Sequence, residues 1–153
     1  MLNSFSDRAS FLQESEILRG GRFHIQDLAF DEISGTLRLT VTGPPAPRRT
    51  GFKGLLPVKP SWPVRILTLS GIREFKRAFA SGADSSYVFD RAEVERDGTE
   101  ITLFFRPGDR AVATVSRPDG EIMEAGSATH IPEKPAAINP LYVLDPYTRV
   151  RRS

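Results

Sequence analysis

Alternation of apolar and polar positions is clearest in residues 36–42, where the apolar side chains are Leu37, Leu39 and Val41. This period of two is typical of a strand with one buried face. Residues 22–30 form a second apolar run, and residues 31–35 between them are rich in turn formers. We therefore predict a β-hairpin over residues 22–42.

Residues 7–18 have the features of an amphipathic helix. Ser6 or Asp7 can cap its first turn, and Gly20 and Gly21 follow its end. On one face of this helix we expect Phe5, Ala9 and Leu12.

A second, shorter helix is predicted over residues 72–79. Its apolar residues Phe75 and Phe79 follow Ile72 by three and seven positions, which is the spacing of one helix face. Cationic residues lie between them. Gly82 follows as a terminator. The preceding residues, 64–69, are predicted to form a strand.

The dipeptide Asp97–Gly98 is the clearest turn signal, because both residues tolerate the positive φ of a type I′ hairpin turn. This turn would place Glu95 opposite Glu100, and the repulsion between these two like charges leaves a slightly longer, bulged turn as an alternative. The predicted register pairs Val94 with Ile101, Ala92 with Leu103, Asp90 with Phe105 and Glu95 with Glu100.

Short apolar runs separated by turns at 107–108 and 118–120 predict an antiparallel meander. The predicted fold is mainly β, with one or two short helices, as an antiparallel sandwich or a partly open barrel. We expect a single domain over residues 1–130. Its predicted core contains Leu37, Leu39, Val41, Ile66, Phe75, Phe79, Val94, Ile101, Leu103, Phe105 and Val115.

The segment from Gly43 to Pro63 interrupts this pattern. It holds six prolines, three glycines, four cations and no acid, a composition that excludes helix or central strand. Long irregular segments in small domains often carry function. Three interpretations stay open: a packed loop, a protein-binding surface, or a nucleic-acid or polyanion site. The candidate binding residues are Arg48, Arg49, Phe52, Lys53, Lys59 and Trp62, and the exposure of Trp62 should help to decide between them.

Residues 131–153 are predicted to form an extended C-terminal arm, because four prolines interrupt them. The arm has one apolar segment, which either covers an edge of its own sheet or joins two copies as a homo-oligomer. That segment consists of Leu141, Tyr142, Val143 and Leu144.

Composition excludes several classes of protein. The chain has 153 residues and a net charge of +2. Because it contains no cysteine, disulfides, thiolate metal sites and a cysteine nucleophile are excluded. We expect a cytoplasmic protein, since no signal peptide and no apolar run of about 20 residues are present.

No catalytic motif accompanies these features. His24 and His130 are the only histidines, and neither a nucleophile elbow nor a phosphate-binding glycine loop occurs. The acids of the hairpin region lack calcium-loop spacing and are better explained as solvated edges. They are Asp84, Asp90, Glu93, Glu95, Asp97 and Glu100. We expect no catalytic residue, metal or cofactor.

The order of four segments resembles small β-rich bacterial immunity proteins of polymorphic toxin systems. The segments are 23–31, 36–41, 65–75 with the turn Ser70–Gly71–Ile72, and the hairpin around Asp97–Gly98. The resemblance implies a protein that binds and blocks a partner without chemistry of its own. The expected function is therefore non-catalytic protein binding. Two alternatives stay open: a nucleic-acid or polyanion binder through residues 43–63, and a structural subunit of a phage-like assembly.

Overall fold

The computed structural model describes residues 2–44, 62–78, 86–106 and 108–128. Within them, ten strands form one sheet, accompanied by one α-helix and two short 3₁₀-helices, Glu16–Leu18 and Ile25–Asp27. The helix α1 spans Arg8–Ser15. The strands are β1 Leu2–Phe5, β2 Arg22–His24, β3 Leu28–Asp31, β4 Thr36–Thr42, β5 Trp62–Leu69, β6 Ile72–Ala78, β7 Ser86–Glu95, β8 Glu100–Arg106, β9 Asp109–Val115 and β10 Gly120–Ala128.

The strand order is β1-β10-β5-β4-β2-β7-β8-β9-β6, with β3 also beside β4 and every pair antiparallel. The predicted mainly β fold is confirmed. The predicted meander is right for β7, β8 and β9. It is wrong for β10, which pairs with β1 and β5 instead of β9.

The sheet curls so that its last strand approaches the β3–β4 hairpin. Ser70 and Gly71 join β5 in the middle of the sheet directly to β6 at its end. The backbone N–H of Ile72 then donates to the carbonyl of Gly35 at 2.9 Å. Beside this contact, the rings of Phe30 and Phe75 lie 5.1 Å apart. The inner face of the curled sheet therefore encloses one core.

Aromatic rings fill the centre of that core. The Phe23 ring lies 4.8 Å from Phe105 and 5.7 Å from Tyr87, and Phe89 lies 6.1 Å from Phe105. All four side chains are buried. The predicted core residues that are buried as expected are Leu37, Leu39, Val41, Val94, Ile101, Leu103, Phe105 and Val115.

Two predicted core positions need correction. Ile66 is half-buried on the outer face, because the inward residues of β5 are Arg65, Leu67 and Leu69. Phe75 is only partly buried against the core. Phe79 lies outside the described residues.

The predicted helix over residues 72–79 is wrong, since residues 72–78 form strand β6 and pair with β9. A bulge explains the misleading three-residue spacing. Ile72 faces Val115 and Glu74 faces Thr114, so one extra residue is inserted between them. Tertiary pairing overrides the weak local helix signal.

The predicted N-terminal helix forms, but with a different buried face. Asp7 caps it as expected, and its Oδ1 accepts from the Ser10 N–H at 2.7 Å. The expected face is wrong because Ala9 is exposed, Leu12 is half-buried and Phe5 belongs to β1. The buried positions of this region are Phe11, Ser15 and Leu18.

The β7–β8 hairpin confirms most of the predicted register. Val94 faces Ile101, Ala92 faces Leu103 and Glu95 faces Glu100. The turn is longer than the predicted two-residue type I′ turn, because Glu95–Glu100 is the last strand pair and residues 96–99 lie between them. Arg96, Asp97 and Gly98 have φ of 53°, 57° and 88°, so Asp97 and Gly98 have positive φ as expected. The predicted pairing of Asp90 with Phe105 is wrong, because a bulge after Phe89 places Phe89 there instead.

Candidate functional site

The predicted basic binding segment lies mostly outside the described residues, which stop at Pro44 and resume at Trp62. Five of the six predicted binding residues fall there, as does the apolar segment of the arm. They are Arg48, Arg49, Phe52, Lys53 and Lys59, and the arm residues are Leu141, Tyr142, Val143 and Leu144.

The two ends of the basic segment are described, and they lie side by side. β4 and β5 are neighbours, and the Gly43 N–H donates to the Pro63 carbonyl at 2.8 Å. The prediction that residues 43–63 hold no central strand is wrong at its end, since Trp62 and Pro63 begin β5. Pro63 is tolerated there because it lies beside a bulge of β10, where the ladder is already interrupted.

Trp62 is half-buried and starts an outward-facing apolar row on β5. Val64 and Ile66 continue this row, while the alternate residues point into the core. The half-burial of Trp62 decides by itself neither for a packed loop nor for a recognition surface.

The apolar row continues across two neighbouring strands. Met123 on β10 faces Ile66, and Leu2 on the edge strand β1 faces Met123. Leu2 is 56% exposed and Met123 is 37% exposed. We call the resulting surface the outer apolar patch, defined by Leu2, Met123, Ile66, Val64 and Trp62.

The next row along the same strands is polar throughout. Thr68 on β5 lies between Arg38 on β4 and Glu121 on β10, and Glu121 faces Ser4 on β1. A solvated sheet face normally carries such residues. The outer apolar patch is therefore confined to the part of this face that leads to the basic segment.

Three acids of the β7–β8 hairpin form ion pairs with neighbouring arginines. Arg91 contacts Asp90 at 2.9 Å and Glu93 at 3.1 Å, and its guanidinium lies 4.0 Å above the ring of Phe104. The hydrogen bond to Glu93, followed by that to Asp90, raises the pKa of Arg91 above its usual value.

Arg96 forms a further ion pair, 3.4 Å from Glu100. In the described parts of the chain, no three His, Cys, Asp or Glu residues could hold a metal ion. Asp84 lies outside those parts.

His24 and Asp27 close a local turn. A 3₁₀-helix, Ile25–Asp27, interrupts the predicted strand 22–30. Nδ1 of His24 accepts from the Gln26 N–H at 3.5 Å, and Oδ2 of Asp27 accepts from the His24 N–H at 2.9 Å. The predicted hairpin strand over residues 22–30 is therefore not continuous. Both of these hydrogen bonds stay within the turn, and His130 lies outside the described residues.

A surface cleft of about 560 Å³ lies between the first turn of α1 and the β7–β8 turn. Sequence reasoning missed it because the two elements are far apart in the chain. Arg8, Arg96 and Arg117 line it together with Asp7, Glu95 and Asp97. The charges are mixed, and the described lining includes no histidine.

The chain matches no protein-family model, no curated protein and no solved structure. The resemblance to immunity proteins therefore stays a prediction. As for membranes, none of the helices in the described ranges has the length and apolar character needed to span a bilayer. The outer apolar patch remains the strongest candidate functional surface.

Proposed function

We propose that this chain is a non-catalytic protein-binding module whose contact surface joins the outer apolar patch to the basic segment 43–63. The observation that carries the proposal is the contiguity of apolar side chains on the outer face of β5, β10 and β1. Exposed apolar residues are ordinary when they are isolated, but a contiguous patch with a polar border is typical of an interaction surface.

The composition of the surface favours a protein partner over a polyanion. The outward-facing residues of β5 next to the basic segment, Trp62, Val64 and Ile66, are aromatic and aliphatic. Tryptophan and arginine are enriched at the energetic centres of protein interfaces. A phosphate backbone would instead be met by a basic face. Neutralisation of a toxin is the specific form of protein binding that the sequence resemblance suggests.

The test replaces one patch residue at a time by lysine. Leu2→Lys and Met123→Lys place a charge inside the patch, whereas Ser4→Lys adds the same charge to the polar row of the same strand β1. Proteins captured by the immobilised full chain are identified, and the dissociation constant of each captured partner is measured for every variant. We expect both patch variants to bind at least about tenfold more weakly than Ser4→Lys, the loss expected of an interface anchor.

The basic segment has its own variant, in which Arg48, Arg49 and Lys53 are all changed to Glu. It should also weaken partner binding. Equal affinity of the wild type, both patch variants and this triple variant would refute the proposal. Capture of nucleic acid with a log–log salt slope of roughly −3 to −4 would point to the polyanion alternative instead.

A further inference from the structure

Arg65 is a charged residue on the inner face of the sheet. It is 7% exposed, and it alternates along β5 with the same phase as the fully buried Leu67 and Leu69. Across the strands it faces the fully buried Val41 on β4 and Glu124 on β10. Its side chain therefore lies at the end of the apolar core row, on the opposite face from the outer apolar patch.

The guanidinium of Arg65 is poorly satisfied there. Nη1 donates to the Pro44 carbonyl at 3.5 Å, the long limit for a hydrogen bond. Nε is buried without a hydrogen-bond partner, and no described carboxylate forms an ion pair with this side chain. An arginine cannot discharge by losing its proton, so a buried guanidinium needs an anion beside it.

We infer that Arg65 anchors a carboxylate-binding site. Nε and Nη2 form one edge of the guanidinium, and this edge matches the two oxygens of a carboxylate in a bidentate pair. The apolar neighbours Val41 and Leu67 and the opposing Glu124 disfavour a doubly charged phosphate at this position. The carboxylate comes either from a small free acid or from an acidic side chain of a peptide.

Thermal unfolding of the full chain tests the inference, with sodium acetate as the probe and sodium chloride at the same ionic strength as the control. Acetate at tenfold its Kd should raise the Tm of the wild type by roughly 3–6 °C relative to chloride. Arg65→Met, which keeps the length and removes the charge, should lose this response. Arg65→Met should also unfold in chloride at a Tm no lower than that of the wild type, because it removes an unpaired buried charge.

Glu124 supplies the decisive second variant, because it is the acid across the strand from Arg65. Under our inference, Glu124→Gln leaves the Tm in chloride unchanged and tightens acetate binding. If Glu124 is instead the counterion of Arg65, Glu124→Gln lowers the Tm and does not tighten acetate binding, and the inference fails. It also fails if acetate shifts the wild type and Arg65→Met equally, or shifts neither.

A capped tripeptide with a central glutamate identifies the source of the carboxylate. If it competes with acetate for the wild type, the site accepts an acidic side chain. If acetate alone binds, the site takes a small free acid. Both results support the carboxylate site, and neither depends on the outer apolar patch.

Discussion

Asp7 defines where the first helix begins. Its carboxylate accepts the Ser10 N–H, and the Ser10 hydroxyl lies 3.3 Å from the Asp7 N–H, so two otherwise unpaired backbone donors are satisfied. The hydrogen bonds from the backbone and side chain of Ser10 lower the pKa of Asp7 below its usual 3.8. The charged form therefore stabilises the folded state.

Replacing Asp7 by Ala should lower the Tm at neutral pH, because the cap is lost. Since the folded pKa is depressed, the contribution of Asp7 is present above the unfolded pKa of about 3.8 and disappears as the pH falls through the lower folded value. The Tm difference between the wild type and Asp7→Ala should therefore shrink below pH 4, as measured by circular dichroism melts from pH 2 to pH 7.

Asn is the matched control at position 7, because it also accepts a hydrogen bond at the cap and cannot titrate. Asp7→Asn should melt close to the wild type at pH 7. A Tm difference between Asp7→Ala and the wild type that persists unchanged down to pH 2 would contradict this account.

Single residues also show what local sequence can predict. The cap at Asp7 was predictable because capping depends on neighbours three residues away. The phase of β5 was not predictable, because Val64 and Ile66 fit a buried face as well as Leu67 and Leu69 do. Only the pairing with β4 and β10 turns Arg65 inward and Ile66 outward.

At the level of elements, the contact between the β3–β4 turn and the start of β6 holds the curl of the sheet. Gly35 has φ of 65°, its N–H donates to Asp31, and its carbonyl accepts from Ile72. A Cβ at Gly35 would lie 2.8 Å from the Ile72 carbonyl oxygen. Side chains are therefore excluded at this position both by backbone conformation and by space.

Gly35→Ala should destabilise the protein by roughly 3 kcal/mol in urea unfolding, about 1 from positive φ and about 2 from the clash. Gly71→Ala is the matched control, because Gly71 has φ of 68° with nothing within 4 Å of its Cβ position. It should cost only about 1 kcal/mol. Equal losses for both variants would show that the contact with Ile72 is unimportant.

Elements with a local cause were predicted well, and those shaped by irregular pairing were not. The β7–β8 hairpin follows from Asp97 and Gly98 at its tip. The bulges after Phe89 and after Ile72 have no comparable local signal, and each shifted the apolar phase by one residue. The bulge after Phe89 displaced the predicted pair of Asp90 with Phe105. The bulge after Ile72 gave strand β6 an apolar spacing that resembles that of a helix.

At the level of the whole molecule, the N-terminal strand protects the edge of β10. β1 supplies four residues that pair with β10, and Phe5 is buried with its ring 5.0 Å from Phe11. An uncovered strand edge next to apolar side chains pairs readily with another chain. The strand is short, yet it closes one end of the sheet.

Deleting Leu2–Phe5 should lower stability by at least about 3 kcal/mol, the usual loss for a buried phenylalanine. It should also produce concentration-dependent oligomers in light scattering, since β10 becomes the edge. Phe5→Ala separates the two effects, because it should lose similar stability and stay in the wild-type oligomeric state. A deletion variant with the oligomeric state and Tm of the wild type would disprove this role of β1.

The strand order and the outer apolar patch belong to this scale and were beyond sequence analysis. Leu2, Met123 and Ile66 come from distant parts of the chain and meet only because β10 lies between β1 and β5. The sequence did indicate the basic segment beside them, because proline and cation content is visible without any knowledge of pairing. The basic segment of the candidate surface was thus predictable from the sequence, and the outer apolar patch was not.

The hydrogen bond between Gly43 and Pro63 fixes the spacing of the two strands from which the basic segment leaves. The sheet therefore does not depend on the segment to hold its ends together. The entropic cost of closing a loop rises only slowly with its length. Insertions, deletions or substitutions in this segment should accordingly leave the pairing of β4 with β5 intact.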